Sequence, residues 1–231
     1  MLSKGFPDDS PQTPESREVQ SESDGLMGAL NIQSASLGAP HGHSDRVALY
    51  AVVIGRHLDL PEKMLQTLKS AAILHDIGKV GISRQIVEKL GRLTEREFEI
   101  MRLHSTIAIR MLERVEGLQD AIPMIKHHHE RFDGKGYPDG LAGHDIPLGA
   151  RIIAVAETFD ILVSDVPWRN ALPLKVAIEE LKNSAGGQFD AIIVEAFLAV
   201  LEAGHVGLPE HLAEELQDLI RSRSKLLRWG T

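Results

Sequence analysis

Apolar residues along the chain recur mostly at intervals of three and four positions, which is the spacing of one face of an α-helix. In residues 44–58, for example, Val47, Ala48, Ala51 and Ile54 follow this spacing. No segment alternates apolar and polar residues with a period of two, as a half-buried strand would. The pattern therefore predicts an all-α fold in which helices pack as a bundle. Helices are predicted over residues 44–58, 61–78, 94–112, 118–131, 150–163, 173–184, 190–201 and 209–227.

Local signals set several of the predicted helix ends. Pro61 suits the first turn of a helix, because a missing N–H costs nothing at that position. Gly78 indicates the end of the same helix. Thr94 and Glu97 have the spacing of a capping box, which predicts a helix start at Thr94. Residues 133–148 are rich in glycine and proline and are predicted to form a loop.

Composition narrows the class of protein. The 231 residues are 43% apolar but only 4% aromatic, so the core must consist mainly of Leu, Ile, Val and Ala. Cysteine is absent, which excludes disulfides and thiolate metal ligands and fits the cytoplasm, where we expect the protein. The net charge of −8 argues against DNA as a partner, because DNA attracts a broad basic face. A small anionic substrate still fits if bound cations supply local positive charge.

Three segments are predicted along the chain. Residues 1–25 are rich in Ser, Pro, Asp and Glu and are expected to be a disordered tail. Residues 26–204 are expected to form the main domain, and residues 205–231 an amphipathic helix. That helix either packs on the domain, which we favour, or serves as a dimer or membrane-surface helix. No apolar run is long enough to span a bilayer, so no membrane partner is expected, whereas a homodimer or a signalling protein partner is left open.

Histidines and acidic residues form the candidate chemistry, and they occur at five places on or near the ends of predicted helices. These are His43, His75–Asp76, His104, His128–His129 and Glu157. Imidazoles and carboxylates together suit zinc, iron or manganese. Because a carboxylate has two oxygens, Asp76 could bind one metal ion with each. The sequence therefore predicts a metal centre built from distant parts of the chain.

The remaining histidines have plainer interpretations. His127 is expected to lie outside the centre, because three successive helical residues cannot face one point. His57 and His205 are expected to be surface or otherwise satisfied residues. His41 is either a loop residue, which we favour, or a stand-in ligand. The favoured interpretations place none of these residues among the metal ligands.

Longer segments of the chain resemble a known family. Residues 75–82 read HDIGKVGI, which looks like the signature of HD-domain phosphohydrolases. Residues 128–152 read HHERFDGKGYPDGLAGHDIPLGARI, which is very close to the motif of the HD-GYP subfamily. Shorter matches lie at residues 43–48, 93–112 and 185–190, so the resemblance covers roughly residues 40–200. The expected fold is therefore an HD-type helical bundle with a GYP loop and additional C-terminal helices.

The resemblance implies a phosphodiesterase that cleaves cyclic di-GMP with two divalent metal ions, iron or manganese, although zinc is also compatible. One ion would be held by His43, His75, Asp76 and Glu157, and the other by Asp76, His104, His128 and His129. Asp76 and Lys79 would be the catalytic residues, and Lys79 would also contact a substrate phosphate. Arg169 matches a position where the family often has a basic phosphate contact. Tyr137 would either stack on a guanine or hold the loop in place, and we favour the second.

Three departures from the family pattern bear on activity. Ala39 replaces the glutamate of members with a third metal, so two ions are expected. Glu157 stands where the family usually has aspartate, and its longer side chain shifts the carboxylate outward. Val166 replaces an arginine that contacts substrate phosphate, and losing such a charged hydrogen bond typically costs about 1.5–3 kcal/mol. The alternatives are therefore a catalytically weak signalling or binding module, or a phosphohydrolase for another nucleotide.

Overall fold

The structure, a computed structural model, describes residues 42–166, 168–204 and 207–217. Over these ranges the chain consists of helices, turns and loops with two isolated β-bridges. The prediction of an all-α fold is therefore confirmed. The helices with defined bounds in the described ranges are α1 (His43–His57), α2 (Glu62–Leu74), α3 (Arg84–Val87), α4 (Glu95–Leu112), α5 (Ile122–Lys126), α6 (Leu148–Leu162), α7 (Leu174–Ser184) and α8 (Ala191–Glu202). Residues 210–217 are also helical, and 3-10 helices span Ile77–Gly81 and Gly143–Asp145.

The core lies where α1 packs against α2, α6 and α8. It is built mainly from aliphatic side chains, as the composition predicted. Burying each such side chain fully contributes roughly 1.5–3 kcal/mol. The helix α4 packs on the 3-10 helix at Ile77–Gly81, and α5 contacts α4, α2 and α6. This arrangement brings the C-terminal end of α2 close to both α4 and α5.

A small aromatic cluster lies within this aliphatic core. Tyr50 on α1, Phe159 on α6 and Phe197 on α8 are all fully buried. The ring centroid of Phe159 lies 5.3 Å from that of Tyr50 and 4.8 Å from that of Phe197, and both pairs have edge-to-face geometry. Edge-to-face pairs of this kind contribute about 0.5–1.5 kcal/mol beyond their buried area. The cluster therefore ties α8 to α1 and α6, the helices that carry His43 and Glu157.

Most of the predicted helix ends agree with the structure. The capping box is present: the Glu97 amide donates to the Thr94 hydroxyl at 3.3 Å, and the Thr94 amide donates to the Glu97 carboxylate at 2.7 Å. The end predicted at Gly78 is wrong, because the helix that follows Pro61 ends at Leu74, immediately before the His75–Asp76 pair, and Gly78 lies in the 3-10 helix Ile77–Gly81. His75 and Asp76 therefore follow the helix and are not constrained to point in the directions that helical geometry would impose.

The helix predicted over residues 118–131 is wrong in length, because α5 covers only Ile122–Lys126. Pro123 lies in its first turn, and a proline can neither donate an amide hydrogen nor tolerate a helical carbonyl four residues before it. On the other side the chain turns, and the Glu130 amide donates to the His127 carbonyl at 2.9 Å. His128 and His129 therefore lie in a turn after α5 rather than on a helix.

The predicted terminal segments are described only in part. The proposed tail, residues 1–25, lies outside the described residues, as do positions 39 and 41. Of the predicted C-terminal helix, residues 210–217 are helical, and the remaining positions from 218 onward lie outside the described residues. Leu212 and Leu216 are buried against the core, and the Leu174 amide donates to Glu215 at 2.9 Å. In the described ranges, none of the helices is both long and apolar enough for a bilayer crossing.

Candidate active site

The predicted ligands lie at three places where helices begin or end and within two helix interiors. His43 is the first residue of α1, and His75–Asp76 directly follow α2. His128–His129 lie in the turn after α5. His104 and Glu157 come from within α4 and α6. The packing of α4, α5 and α6 around the end of α2 brings these side chains to one place.

The seven predicted side chains fall into two groups that share one residue. The first comprises His43, His75, Asp76 and Glu157, and the second comprises Asp76, His104, His128 and His129. In each group, one potential ligand atom from every residue lies within 4.8 Å of the others. All seven are buried except His129, which is partly buried. The geometry therefore assembles the set that the sequence predicted, while metal binding itself is a proposal developed below.

Asp76 faces both groups with different oxygens. Its Oδ2 atom lies 3.4 Å from His75 Nε2, and its Oδ1 atom lies 3.7 Å from His104 Nε2. The ammonium of Lys79 donates to Oδ2 at 2.5 Å. One carboxylate can thus serve both groups, as the sequence analysis suggested for this residue.

Three imidazoles are oriented by the same local hydrogen bond. The Nδ1 atoms of His75, His104 and His128 lie 2.6–2.7 Å from the backbone carbonyl three residues earlier in each case. A carbonyl can only accept, so Nδ1 must carry the proton. In the neutral ring, Nε2 then presents a lone pair towards the centre, which is the arrangement a metal ligand needs.

Burial keeps these imidazoles neutral. It lowers the pKa of His75 and that of His104 to about 4, and the pKa of His128 to about 3. It also lowers the pKa of His129 well below its usual range. Neutral imidazole is the form that binds metal, so the four rings need not lose a proton near pH 7.

The pKa values of the two carboxyl groups, Asp76 and Glu157, are shifted in opposite directions. Burial disfavours the charge of Asp76, but the Lys79 ammonium and the surrounding histidines hold the Asp76 pKa well below its usual range. Burial, together with the negative charge of Asp76, raises the pKa of the Glu157 carboxyl to about 7. Two neighbouring acids whose pKa values are pushed apart are typical of functional sites.

Two buried polar atoms of the site support its use for a cation. His75 Nε2 and Asp76 Oδ1 have no hydrogen-bond partner among the described residues. A buried polar atom without a partner is costly, and an ion that it coordinates would remove that cost. Imidazole nitrogens with carboxylate oxygens are also a suitable donor set for a divalent transition metal. The residues present therefore fit a metal pair.

A cavity of about 600 Å³ opens beside the second group. His104, His129 and Lys79 lie in its wall, so the cavity reaches the candidate centre. Its volume is in the range that accommodates small-molecule ligands. Further wall residues are Tyr137, Trp168, Arg169, Lys89 and Arg92. The described residues that line the cavity include four basic side chains and no acidic one, which suits an anionic ligand.

Comparison with known proteins identifies the family. Residues 30–193 match the family model described as HD domain. The chain belongs to the HD-domain family. The chain is 42% identical over 160 residues to a cyclic di-GMP phosphodiesterase of Thermotoga maritima, covering 68% of this chain and 44% of that protein. It is 37% identical to the Xanthomonas campestris cyclic di-GMP phosphodiesterase response regulator RpfG, covering 70% and 43% of the two chains.

Further relatives agree with the HD-GYP resemblance, which is thereby confirmed. A 3'3'-cGAMP-specific phosphodiesterase 3 of Vibrio cholerae is 37% identical, with 70% of this chain and 35% of that protein covered. This chain spans less than half the length of these three curated relatives. A V. cholerae cyclic GMP-AMP phosphodiesterase structure has the same fold, with a TM-score of 0.61, 20% identity, and coverage of 84% and 53%. The structure of an HDG"Y"P protein of Bdellovibrio bacteriovorus has the same fold with a TM-score of 0.59 and 20% identity, covering 80% of this chain and 59% of that chain.

The glycine-rich loop of this HD domain is held tightly under the second group. A Cβ atom at Gly136 would lie 2.5 Å from the Glu130 Cα and 2.6 Å from the His129 carbonyl oxygen. Only glycine therefore fits this close backbone approach. The buried Glu130 carboxylate accepts hydrogen bonds from the amides of Asp139 and Gly140, at 2.7 and 3.0 Å. These contacts fix the loop against the turn that carries the paired histidines.

The ring of Tyr137 also holds the glycine-rich loop against the residues of the site. It stacks on His129 with ring centroids 4.8 Å apart, and it meets the edge of Phe98 at 6.1 Å. The guanidinium of Arg102 lies 5.0 Å from its ring centroid. The contacts agree with the favoured interpretation of Tyr137 as a residue that holds the loop. Because the ring also lines the cavity, its role in substrate binding stays a prediction.

Asp160 is a site residue that the sequence analysis missed. Its fully buried carboxylate accepts from His43 Nδ1 at 2.8 Å and from the Arg46 guanidinium at 2.6 and 2.9 Å. A carboxylate bound to the far nitrogen of a ligand histidine fixes the ring and raises its basicity. A usable signal existed, because Asp160 is three residues after Glu157 on the same helix and so lies on the same face.

Arg169 and Val166 have structural roles in the HD domain. The Arg169 guanidinium donates to the carbonyls of Ile161, Leu162 and Asn170 at 2.6, 3.2 and 2.6 Å. It therefore satisfies carbonyls at the C-terminal end of α6, and its predicted phosphate contact stays a prediction. Val166 is only 8% exposed and pairs through its backbone with Arg169.

The plainer interpretations of the other histidines can be compared with their surroundings. His127 lies outside both groups, and its Nε2 atom is 3.0 Å from Asp139 Oδ2. His57 is exposed at the end of α1. Positions 41 and 205 lie outside the described residues.

Proposed function

We propose that the chain is a metal-dependent phosphodiesterase that hydrolyses a cyclic dinucleotide, with cyclic di-GMP as its substrate. The observation that carries the proposal is that two groups of potential metal ligands share Asp76 beside a basic cavity. The names of the three curated relatives quoted above support this reaction class. Because the chain spans less than half of each relative, its own activity needs a direct test.

Two divalent ions would be held at the shared carboxylate. His43, His75 and Glu157 would bind one ion, His104, His128 and His129 the other, and Asp76 would bridge them. When bound, such a pair supplies Lewis-acid stabilisation of phosphate oxygens and lowers the pKa of a water molecule. The HD-GYP resemblance favours iron or manganese, and zinc accepts the same donors.

The protein's own side chains prepare this centre in three ways. The hydrogen bonds from Nδ1 to backbone carbonyls hold the imidazoles in the tautomer that a cation requires. Lys79 contacts Asp76 and also lines the cavity, so its ammonium can contact a phosphate oxygen as negative charge builds. Burial of the ligands excludes bulk water and so strengthens each of these electrostatic contacts.

The basic cavity supports an anionic substrate rather than a neutral one. A cyclic dinucleotide carries two phosphodiester groups and two bases, which matches a wall of cationic and aromatic side chains. Lys79, Arg169 and Tyr137 are the substrate contacts proposed from the sequence. Cyclic di-GMP is named for two of the quoted relatives and 3'3'-cGAMP for the third, so the second nucleotide is the natural competitor in the test.

A second candidate function has specific support. Val166 is apolar and buried where the family has an arginine that contacts phosphate, and Glu157 is one methylene longer than the usual aspartate, which shifts a candidate ligand carboxylate. Both features favour a module that binds metal and nucleotide but turns over slowly. A phosphohydrolase for another nucleotide is the third alternative.

The deciding experiment is to purify the protein without chelators, measure bound metal, and assay cleavage of cyclic di-GMP and 3'3'-cGAMP anaerobically with iron, manganese and zinc in turn. We expect about two metal ions per chain, in line with the two-metal geometry, and linear dinucleotide or GMP as product. Stoichiometric metal without cleavage of either nucleotide would contradict the proposed cyclic dinucleotide phosphodiesterase and favour the binding module or a phosphohydrolase for another nucleotide.

Matched carboxylate variants separate the centre from general charge effects. Asp76→Ala is expected to abolish cleavage and bound metal together, because it removes the residue common to both groups. Asp120→Ala serves as the control, because that side chain is 70% exposed in a surface pair with Lys63. Full activity in Asp76→Ala would refute the proposed centre.

A further inference from the structure

The cavity beside the metal-ligand groups is lined by four basic side chains, and three of them are already engaged. Lys79 contacts Asp76 at 2.5 Å, and Lys89 contacts Glu97 at 2.5 Å. The guanidinium of Arg169 is bound to three backbone carbonyls. These contacts use part of the donor capacity of the three groups, and the two lysines each lie beside a carboxylate that offsets their charge.

Arg92 differs from the other three. It lies between α3 and α4, is exposed, and lines the cavity. Its guanidinium makes no hydrogen bond or ion pair with any residue in the part of the chain that the structure describes. A guanidinium presents several donors in a planar fork that matches phosphate oxygens two at a time. Among the described residues of this wall, Arg92 is therefore the cation whose donors and charge are all available to a ligand.

Trp168 supplies a second unused surface of the same wall. It is 55% exposed, although tryptophan is usually well buried. Its ring has no aromatic partner among the described residues. An exposed indole in a basic cavity suits stacking on a nucleobase, since every base has a π-face.

We propose that Arg92 binds the phosphate that is not cleaved, and that Trp168 stacks on a base, so that together they hold the half of a cyclic dinucleotide away from the metal ions. The inference rests on the proposed function. A cyclic dinucleotide has two phosphates, and only one can be at the metal ligands during cleavage. The second phosphate needs its own cation, and Arg92 supplies it.

The test compares Arg92→Ala with Arg92→Lys and with Arg96→Ala in the full chain. Arg96 is an exposed arginine in the first turn of α4 that does not line the cavity, so it controls for the change in net charge. Removing a charged hydrogen bond predicts that Arg92→Ala raises the KM for cyclic di-GMP on the order of 10- to 100-fold. Arg92→Lys should restore part of this loss, and Arg96→Ala should leave the KM within about twofold.

A small substrate distinguishes the distant contact from the metal centre. Bis(p-nitrophenyl) phosphate has a single phosphate, so Arg92→Ala should lower its kcat/KM much less than that of cyclic di-GMP. Trp168→Ala should raise the KM for cyclic di-GMP, and Trp168→Phe, which retains a π-face, should do so less. Equal losses of kcat/KM on both substrates, or an unchanged KM for cyclic di-GMP in Arg92→Ala, would overturn the proposal.

Equilibrium binding keeps the inference testable if the protein does not cleave. Calorimetric titration of the purified protein with cyclic di-GMP should give a Kd that rises at least about tenfold in Arg92→Ala. Binding without cleavage would refute the proposed function while leaving the Arg92 contact to be judged by this ratio. Absence of binding to the wild-type protein would refute both.

Discussion

Gly78 lies where the segment after α2 touches α4, and replacing it tests whether this contact sets the site. A Cβ atom at Gly78 would lie 2.7 Å from the Ala108 amide nitrogen and 2.8 Å from the His104 carbonyl carbon, and closer still to the carbonyl oxygen. Real Cβ atoms keep at least 3.0 Å from such atoms. All three neighbours are backbone atoms, so no side-chain rotation can relieve the clash in Gly78→Ala.

The size of the effect follows from this geometry. The His104 carbonyl oxygen is the atom nearest to the added Cβ, and moving it beyond the 3.0 Å limit requires the two segments to separate by on the order of 1 Å. Asp76 lies on one segment and His104 on the other, with 3.7 Å between Oδ1 and Nε2. Overpacking of this kind typically costs about 1–3 kcal/mol of stability. A misplacement of about 1 Å in catalytic geometry can lower the rate about 100-fold.

The assay measures stability and catalysis on the same preparation. Gly78→Ala should unfold at a lower urea concentration and should lose kcat/KM by more than its remaining folded fraction explains. Gly187→Ala is the matched control, because the nearest atom to its added Cβ would be 3.7 Å away. If Gly78→Ala kept wild-type metal content and turnover, the contact between these segments would not set the site, and the reasoning would be refuted.

Three further predictions concern other parts of the molecule. Asp160→Asn should weaken metal affinity about 10- to 100-fold, because a neutral amide holds His43 less firmly; competitive metal titration measures this, and an unchanged affinity would exclude the orienting role. Thr94→Ala should lower the free energy of unfolding by about 1 kcal/mol through loss of the cap, measured by urea denaturation against Thr106→Ala within the same helix; equal values would refute it. Tyr50→Phe should be at least as stable as wild type, because the buried Tyr50 hydroxyl has no partner among the described residues; a melting temperature several degrees lower would show a partner.

The fold could be predicted largely from local sequence. The spacing of apolar residues and the capping box gave helix ends close to those observed, because both signals depend on a few neighbouring residues. The error at residues 118–131 arose because apolar spacing continued past the point where Pro123 and the following turn limit the helix to Ile122–Lys126. Proline and the local turn prevailed over periodicity there.

The site was predictable in its members but not in its supporting contacts. His43 and Glu157 are separated by more than a hundred residues, so local sequence could not predict that they lie together. That prediction came from the family resemblance. Asp160 was missed because its spacing from Glu157 indicates the face of the helix but not its partners on α1, which become apparent only when α1 and α6 are packed. The use of Arg169 to satisfy carbonyls of α6 likewise depends on a turn whose geometry the sequence does not reveal.

Three imidazoles of the centre are oriented by a hydrogen bond to the carbonyl three residues earlier, so local structure sets their orientation and tertiary packing sets their positions. Each ring takes its direction from its own stretch of four residues, so the tertiary structure has only to bring finished units to one place. A change that shifts one helix should therefore move a ring with its orientation and tautomer intact, and alter the distances between the ring nitrogens rather than their orientation. Substitutions far from the centre can therefore change the distances between the imidazoles without changing how each imidazole is oriented.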